Sequence, residues 1–412
     1  MTRRRGRSAA GRAVLTVVTA FGVLAGAALA GAAPAGAVPA GTTIAPGVTY
    51  RQFDLPAAAG TTHAHLLTVD LRDPRVRVGL LDPGAVAARA TVSRMADAAK
   101  AVAGVNGDFF DITETQHPGV DPTGASVGPA VADGRVLKAA VPDGQRFGPA
   151  LPPGTDTEDV LGVGTDRRAR LDRLTLTGSV RTPRGTLPLK GLNQYALPQN
   201  AVGAYTSRWG SASRERAVCG TDTNRAAGCS SETYEVTVRR GRVVSVSEAP
   251  GSGTIPAGTT VLVGREKGAE RLRELAVGDA VSVTHKLVAA VSRVAYAFAL
   301  GGFPVLRDGR PLSGLDDTTS AVRTAVGFDA SGRRLLILAL DGAVAYRSGL
   351  TIAEEAATMR SLGAAGAFNL DGGGSTEMVT RDSGAGAVTV RNHPSGGAER
   401  PVANGVGVFT TG

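Results

Sequence analysis

One group of polar residues in this sequence follows a short apolar segment and reads Asp371-Gly372-Gly373-Gly374-Ser375. Three glycines after a strand allow the backbone to approach a ligand closely and to present several N–H donors. A phosphate oxygen suits such a turn, and the Ser375 hydroxyl adds a further polar contact. Taken alone, the pattern is equally compatible with an ordinary tight turn.

An arginine on a predicted strand is the second candidate for chemistry. Arg323 shares one strand face with small residues, so there is space in front of its guanidinium. A guanidinium in that position is suited to bind a phosphodiester through two parallel hydrogen bonds. The alternative is a surface arginine on an edge strand.

Polar residues also end two further predicted strands. One strand ends in Asn106-Gly-Asp108 and another in Asp341-Gly342, just as the apolar segment described first ends in Asp371. Open sheets place ligands at the carboxyl ends of neighbouring strands. We therefore expect these three strand ends to lie together, although such polar-glycine pairs also form plain turns.

The elements that must position these residues are mostly strands. Residues 334–340 are apolar on both faces, which predicts a buried central strand. Helices are predicted from Thr91 to Ala103 and from Thr351, where Thr351 and Glu354 form a capping-box pattern. The pattern predicts an α+β fold with a β-rich mixed sheet, a few helices and a β-rich middle insertion.

The chain divides into five predicted segments. They are a signal peptide (1–37), a flexible lead-in (38–60), two parts of one catalytic domain (61–150 and 291–412), and a β-rich middle region (151–290). The first has a basic head, an apolar run and the small residues Ala35-Gly-Ala37, which predicts export and cleavage after Ala37. The alternative is an uncleaved membrane anchor.

Charge and cysteine content limit the partners. Five of the 45 Lys and Arg residues precede the predicted cleavage point, so the remainder only slightly exceeds the 36 acidic residues. Such a surface is not that of a nucleic-acid-binding protein. Cys219 and Cys229 bracket a turn-rich loop, and in an exported protein this predicts a disulfide.

Metal chemistry has little support in the pattern. The five histidines form no His-Glu-x-x-His motif, and two cysteines are too few for a structural zinc site. We predict no cofactor, with an oxygen-ligand calcium site built from Asp108, Asp341 or Asp371 as the alternative.

Six motifs occur in an order that resembles the phosphodiester glycosidase family. They are Asn106-Gly-Asp108-Phe-Phe, Gly301-Gly302-Phe-Pro, Arg323-Thr-Ala-Val-Gly327, Leu340-Asp341-Gly342, Leu370-Asp371-Gly-Gly-Gly-Ser375 and Arg400-Pro-Val-Ala-Asn404-Gly. The resemblance covers roughly residues 62–409. The chain departs from the family pattern at Asp108, where members commonly have a small residue, and at Ala343, where a basic residue is usual.

The resemblance implies a secreted hydrolase that separates a sugar from a phosphodiester. Because the leaving group is a phosphate monoester with a second pKa of about 6, it needs little help from a general acid. The implied phosphate ligands are Arg323, Arg400 and the turn from Gly372 to Ser375. Asp371 or Asp341 would activate water or attack the anomeric carbon, with Asp108 a third catalytic candidate. Asn106 and Asn404 are the remaining substrate-binding candidates.

Two other functions remain open at this point. The same arginines and glycine turn would hold phosphate in a non-catalytic module that binds glycopolymers. A metal-dependent phosphodiesterase would instead cut the P–O bond and release a sugar phosphate.

Overall fold

The structure is a computed structural model that describes residues 41–346 and 348–411. These described residues form one compact unit. The predicted signal peptide, 1–37, lies outside the described residues.

The described part of the chain contains 24 strands, three α-helices and three short 3₁₀ turns. The strands are β1 Thr42–Ala45, β2 Val48–Ala57, β3 Gly60–Asp70, β4 Val76–Leu81, β5 Ala103–Asn106, β6 Ala130–Ala132, β7 Arg135–Lys138, β8 Asp159–Gly164, β9 Ala169–Thr182, β10 Gly185–Leu192, β11 Val202–Tyr205, β12 Thr233–Arg239, β13 Arg242–Ser247, β14 Thr259–Arg265, β15 Ser282–Ala289, β16 Tyr296–Gly301, β17 Phe303–Arg307, β18 Arg310–Pro311, β19 Thr324–Phe328, β20 Arg334–Leu340, β21 Gly366–Asn369, β22 Met378–Thr380, β23 Thr389–Val390 and β24 Gly405–Thr410. The helices are α1 Val92–Ala99, α2 Lys267–Arg273 and α3 Ile352–Ser361, and the 3₁₀ turns are Asp143–Gln145, Glu215–Val218 and Gly373–Ser375. With 41% strand and 9% helix, the predicted strand-rich α+β class is confirmed.

An eight-stranded sheet joins the two ends of the chain. Its order is β1-β2-β3-β20-β19-β21-β17-β18. Strand β20 pairs antiparallel with β3 on one side and with β19 on the other. Residues 42–57 of the predicted flexible lead-in are strands β1 and β2, because β2 pairs along its whole length with β3.

The apolar character of β20 on both faces follows from its position between two cores. Leu336, Leu338 and Leu340 pack with α3 and with the aromatic residues of the middle of the chain. The alternate residues Leu335 and Ile337 pack against strands of a five-stranded sheet, β23-β22-β5-β24-β4. A strand covered on both faces reads as a continuous apolar run.

The remaining strands, β6 to β16, form an eleven-stranded sheet. Its path is β13-β12-β14-β11-β10-β9-β8-β16-β6-β7, and β15 pairs with β9 beside that path. Strand β16 ends at Gly301, which brings this sheet to the edge of the candidate site described below.

Helix α3 begins with the predicted capping box. The Thr351 hydroxyl accepts from the Glu354 N–H at 3.1 Å, and the Glu354 carboxylate accepts from the Thr351 N–H at 2.9 Å. The next residue, Glu355, is fully buried, and neither of its carboxylate oxygens has a partner among the described residues. Burial raises the pKa of Glu355 to about 8, against the lowering effect of the Arg323 charge.

This buried carboxyl predicts a pH-dependent stability. The folded state keeps Glu355 protonated up to about pH 8, whereas the unfolded chain releases that proton near pH 4.5, so stability falls as pH rises between these values. Replacing Glu355→Gln removes the ionisation. The difference in free energy of unfolding between variant and wild type should grow in the variant's favour by about 4 kcal/mol between pH 4.5 and pH 8.5. Urea unfolding at both pH values measures this. The exposed Glu270→Gln on α2 is the control, and equal pH dependence in wild type and Glu355→Gln would contradict the prediction.

The predicted disulfide between Cys219 and Cys229 is present. A buried polar network fixes its loop to the rest of the protein. The fully buried guanidinium of Arg216 pairs with Glu114 and donates to Gln145 Oε1 at 2.9 Å and to the Cys219 carbonyl at 3.2 Å. His117 Nε2 lies 2.9 Å from the Ala227 carbonyl inside the disulfide loop.

Among the residues described, no helix has both the length and the apolar character needed to cross a membrane.

Candidate active site

The carboxyl ends of β5 and β21 meet, as the sequence predicted. Asn106, the last residue of β5, donates from Nδ2 to the Asp371 carbonyl at 2.6 Å, and the Asp371 N–H donates to the Gly107 carbonyl at 2.9 Å. The Asn106 Oδ1 accepts from the Thr324 hydroxyl at 2.9 Å and from the Glu377 N–H at 3.1 Å. The buried Asn106 side chain therefore joins two sheets, which is a positioning role rather than contact with a sugar hydroxyl.

Asp371 is a partly exposed carboxylate at this junction. Its Oδ1 accepts from the Gly372 N–H at 3.0 Å. Burial raises the pKa of Asp371 to about 6, and the negative charge of Asp108 adds to the shift. Hydrogen bonds from Ser375 and Gly372 act in the opposite direction, as does the positive charge of Arg400. The group is therefore mostly ionised at neutral pH and becomes protonated under mildly acidic conditions.

The glycine turn after Asp371 uses much of its own hydrogen-bonding capacity. Gly373 has φ +58, a backbone conformation that favours glycine. Its N–H donates to the Val322 carbonyl at 2.7 Å, and the Ser375 N–H donates to the Gly372 carbonyl at 3.1 Å. These N–H groups are engaged within the fold, so the predicted binding of phosphate by the turn depends on the side chains around it.

Arg400 supplies a positive charge at that turn. Its side chain is exposed, and Nη1 donates to the buried Ser375 Oγ at 3.4 Å. A Cβ placed on Gly374 would meet the Arg400 guanidinium, with Cζ only 2.6 Å away. The glycine at this position therefore lets the guanidinium lie directly over the turn.

Asp108 lies behind this surface and is almost fully buried. Its Oδ2 accepts from the Gly128 N–H at 2.6 Å, while Oδ1 has no partner among the described residues. Burial raises the pKa of Asp108 to about 6, and the nearby Lys138 charge opposes this. A buried acceptor without a partner is costly, so Asp108 is kept at some expense in stability.

Asn404 positions Asp108. Its Oδ1 accepts from the Asp108 N–H at 2.9 Å, and its carbonyl accepts from the Gly107 N–H at 2.9 Å. The Asn404 side chain is buried. Asn404 therefore holds the loop that follows β5. Its hydrogen bonds are to this loop, whereas the sequence predicted direct contact with substrate.

Arg323 precedes β19 and is also largely buried. Its Nε donates to the Leu350 carbonyl at 2.9 Å and its Nη2 to the Thr319 carbonyl at 2.8 Å. Burial lowers the pKa of Arg323, and the charge of Glu355 opposes that effect. The guanidinium thus fixes two loops beside the site, and the bidentate phosphate contact expected from the sequence would require those bonds to break.

Asp341 follows β20 and is enclosed by donors. Oδ1 accepts from the Ala343 N–H at 2.7 Å, and Oδ2 lies 2.8 Å from His393 Nδ1 and 3.4 Å from His65 Nε2. Burial by itself would raise the pKa of Asp341, but the hydrogen bonds from His393, Ala343 and His65 outweigh it and leave the pKa below its usual value. This carboxylate stays ionised and has no surface left for a direct attack on a substrate.

Sequence reasoning missed two groups at the site. His393 carries no local motif, and only the fold brings it to Asp341. Lys138 is buried and donates from Nζ to three backbone carbonyls, including that of Ala139 at 2.7 Å. A lysine in an otherwise apolar stretch was the only signal that could have marked it.

Within residues 41–346 and 348–411, no group of three or more His, Cys, Asp or Glu side chains is arranged to hold a metal ion. Each of the three candidate carboxylates accepts from a different backbone N–H: Asp108 from Gly128, Asp341 from Ala343 and Asp371 from Gly372.

Residues 232–409 match the model of the phosphodiester glycosidase family. The predicted family resemblance is confirmed. Five of the six motifs lie inside the matched segment, and the Asn106 motif lies outside it.

Two solved structures share the fold of this chain. A protein from Synechocystis is 20% identical, with a TM-score of 0.67 over 89% of this chain, and the chain spans 62% of that protein. A protein from Burkholderia pseudomallei described as exported is 24% identical, with a TM-score of 0.64, and the match covers 85% of this chain and 74% of that one. The zebrafish N-acetylglucosamine-1-phosphodiester alpha-N-acetylglucosaminidase catalytic domain is 15% identical, with a TM-score of 0.44 over 91% of this chain and 87% of that one. None of the curated proteins compared with the chain matches it.

Proposed function

We propose that this chain is an exported hydrolase that cleaves the bond between the anomeric carbon of a sugar and a phosphodiester. The carbohydrate phosphodiesters of cell-wall or exopolysaccharide polymers are the substrate class. The observation that carries the proposal is the placement of Arg400 over Ser375 beside the Asp371 carboxylate, all within the segment that matches the family.

The arrangement suits a reaction in which charge is held rather than a proton donated. Water replaces the phosphate on the anomeric carbon, and the C–O bond breaks with its electron pair on the phosphate oxygen. The departing monoester has a second pKa of about 6 and is stable as an anion. Arg400 and Ser375 bind that anion, and Asp371 faces the anomeric carbon, where it attacks or balances the developing positive charge.

Two features support export. The basic and apolar leader ends in small residues suited to a signal peptidase. The chain also contains the Cys219–Cys229 disulfide, a bond that persists in oxidising compartments outside the cytoplasm.

A panel of sugar-1-phosphodiesters tests the proposed reaction. The chain from Val38 is incubated with each compound, and products are separated by chromatography. Free sugar together with a phosphate monoester supports the glycosidase. Sugar phosphate would instead show a phosphodiesterase, and micromolar binding without any product would show a binding module.

A single methyl group tests the Arg400 assignment. In Gly374→Ala, the new Cβ displaces the guanidinium, which is the end of a flexible, exposed side chain, so the fold is retained. Losing a charge-assisted contact to phosphate is expected to raise KM about tenfold. Steady-state kinetics on the substrate found in the panel measures this.

The matched control is Gly386→Ala, where a Cβ meets nothing within 4 Å. Its KM should equal that of the wild type. An unchanged KM in Gly374→Ala would remove Arg400 from the phosphate site.

A further inference from the structure

His393 stands out because its two ring nitrogens lie in different surroundings. Nδ1 is 2.8 Å from Asp341 Oδ2, with the carboxylate almost fully buried. The His393 side chain is 73% exposed, so the other nitrogen, Nε2, is left for contacts outside the fold. A carboxylate on one nitrogen and an open position on the other is the arrangement of an imidazole that transfers protons.

The partners of Asp341 determine which atoms carry protons. Burial lowers the pKa of His65 to about 4, so that imidazole is neutral at physiological pH. Its Nδ1 lies 2.8 Å from the Tyr50 hydroxyl and its Nε2 lies 3.4 Å from Asp341. Because Nε2 faces a carboxylate whose pKa is below its usual value, the proton of His65 is on Nε2 and points at Asp341, while Nδ1 is the acceptor toward Tyr50. The ionised Asp341 therefore accepts from both histidines and holds the proton of His393 on Nδ1.

The segment that carries His393 belongs to the candidate site. The His393 carbonyl accepts from the Gly342 N–H at 2.8 Å, which fixes the segment beside the end of β20. Two residues later, the Ser395 hydroxyl donates to the Gly373 carbonyl at 3.4 Å, on the turn that follows Asp371. The same segment continues to Arg400 over that turn. His393 thus lies on a loop that contacts the turn through both Ser395 and Arg400.

We propose that His393 is the general base of the hydrolysis and that Asp341 is its positioning residue. This inference rests on the proposed function. Nε2 accepts one proton from the water whose oxygen forms the new bond to the anomeric carbon. The other water proton stays on the sugar hydroxyl, and the phosphate leaves with the electron pair of the broken C–O bond. Asp341 stabilises the imidazolium that forms. When the proton on Nε2 passes to solvent, His393 returns to its original state.

The first test is chemical rescue. In His393→Ala, kcat is expected to fall by about 10²–10⁴-fold, the usual contribution of a positioned acid–base group. Because the side chain is exposed, free imidazole can enter the vacated space, and tens of millimolar imidazole should restore at least a tenth of the lost activity. His63→Ala is the matched control, since this neighbouring histidine bonds Asp54 instead, and its kcat should stay within about threefold of the wild-type value.

The second test examines the tautomer without relying on activity. ¹⁵N NMR of the histidine rings should show that the neutral imidazole of His393 is protonated on Nδ1 and unprotonated on Nε2. In Asp341→Asn, that preference should be lost and kcat should fall while the substrate KM changes little.

The outcomes separate the two proposals. If the wild-type chain hydrolyses no sugar-1-phosphodiester, the proposed function fails. If it does so and His393→Ala retains wild-type kcat, or its loss is not reversed by imidazole, His393 is not the base. A proton on Nε2 in the neutral protein would also overturn the assignment.

Discussion

Asp371→Asn is expected to reduce kcat for sugar-1-phosphodiester hydrolysis by about 10³-fold, within the range that one positioned acid–base or nucleophilic group contributes. The amide keeps the size of the side chain, so the Gly372 N–H retains an acceptor. Binding of the intact phosphodiester should persist, because Arg400 and Ser375 are unchanged. Isothermal titration with the variant measures that binding separately from turnover.

The pH profile gives an independent measure of the same group. Asp371 must be ionised to act, and burial raises its pKa to about 6. Below that value, kcat/KM of the wild type should fall at least tenfold per pH unit. The control is Asp133→Asn, an exposed aspartate in the β6–β7 turn, which should leave both kcat and the profile unchanged. Full activity in Asp371→Asn would show that another group does the chemistry.

Arg216→Met is expected to lower the free energy of unfolding by about 3–5 kcal/mol, the cost of breaking a buried ion pair by removing one partner. The guanidinium is fully buried, and its loss removes the arginine charge that the Glu114 carboxylate pairs with, leaving the carboxylate its contact with His117. The carbonyl of Cys219 also loses a donor. Urea unfolding at pH 7 measures the difference.

Two variants show whether the pair is the cause. Arg208→Met changes an exposed arginine on a neighbouring segment and should alter stability by less than about 0.5 kcal/mol. Adding Glu114→Gln to Arg216→Met removes the orphaned charge and should recover part of the loss. A loss below 1 kcal/mol in Arg216→Met would mean that the network contributes little.

The parts of the fold that sequence reasoning predicted are those set by local chemistry. The capping box of α3 requires only Thr351 and Glu354, three residues apart, and it formed as expected. Strand β20 was predicted over its observed bounds because an apolar run between polar ends has few other solutions. The strands at residues 42–57 were not predicted. The segment contains Pro and Gly, which favour turns, and its strand structure depends on the pairing of β2 with β3.

The site shows the same division. Glycines after apolar segments correctly predicted that polar residues end β5, β20 and β21. The ends of β5 and β21 also meet, as expected. The hydrogen-bond partners of the site side chains could not be predicted from the sequence. Arg323 was expected to face a ligand, yet its Nε donates to the Leu350 carbonyl, 27 residues later, and its Nη2 donates to the Thr319 carbonyl in the preceding loop. The dyad of Asp341 and His393 spans 52 residues, and no spacing rule relates such positions.

The pairing of β3 with β20 has a consequence for how the chain reaches its native state. The two strands are more than 260 residues apart, yet they are adjacent in one sheet. During synthesis, the hairpin of β2 and β3 therefore presents an open apolar edge until nearly the whole chain has emerged. Contacts this distant along the chain slow folding, and open edges favour association with other chains. We expect refolding to be slow and concentration-sensitive, and a truncated chain that ends before Arg334 to aggregate rather than fold.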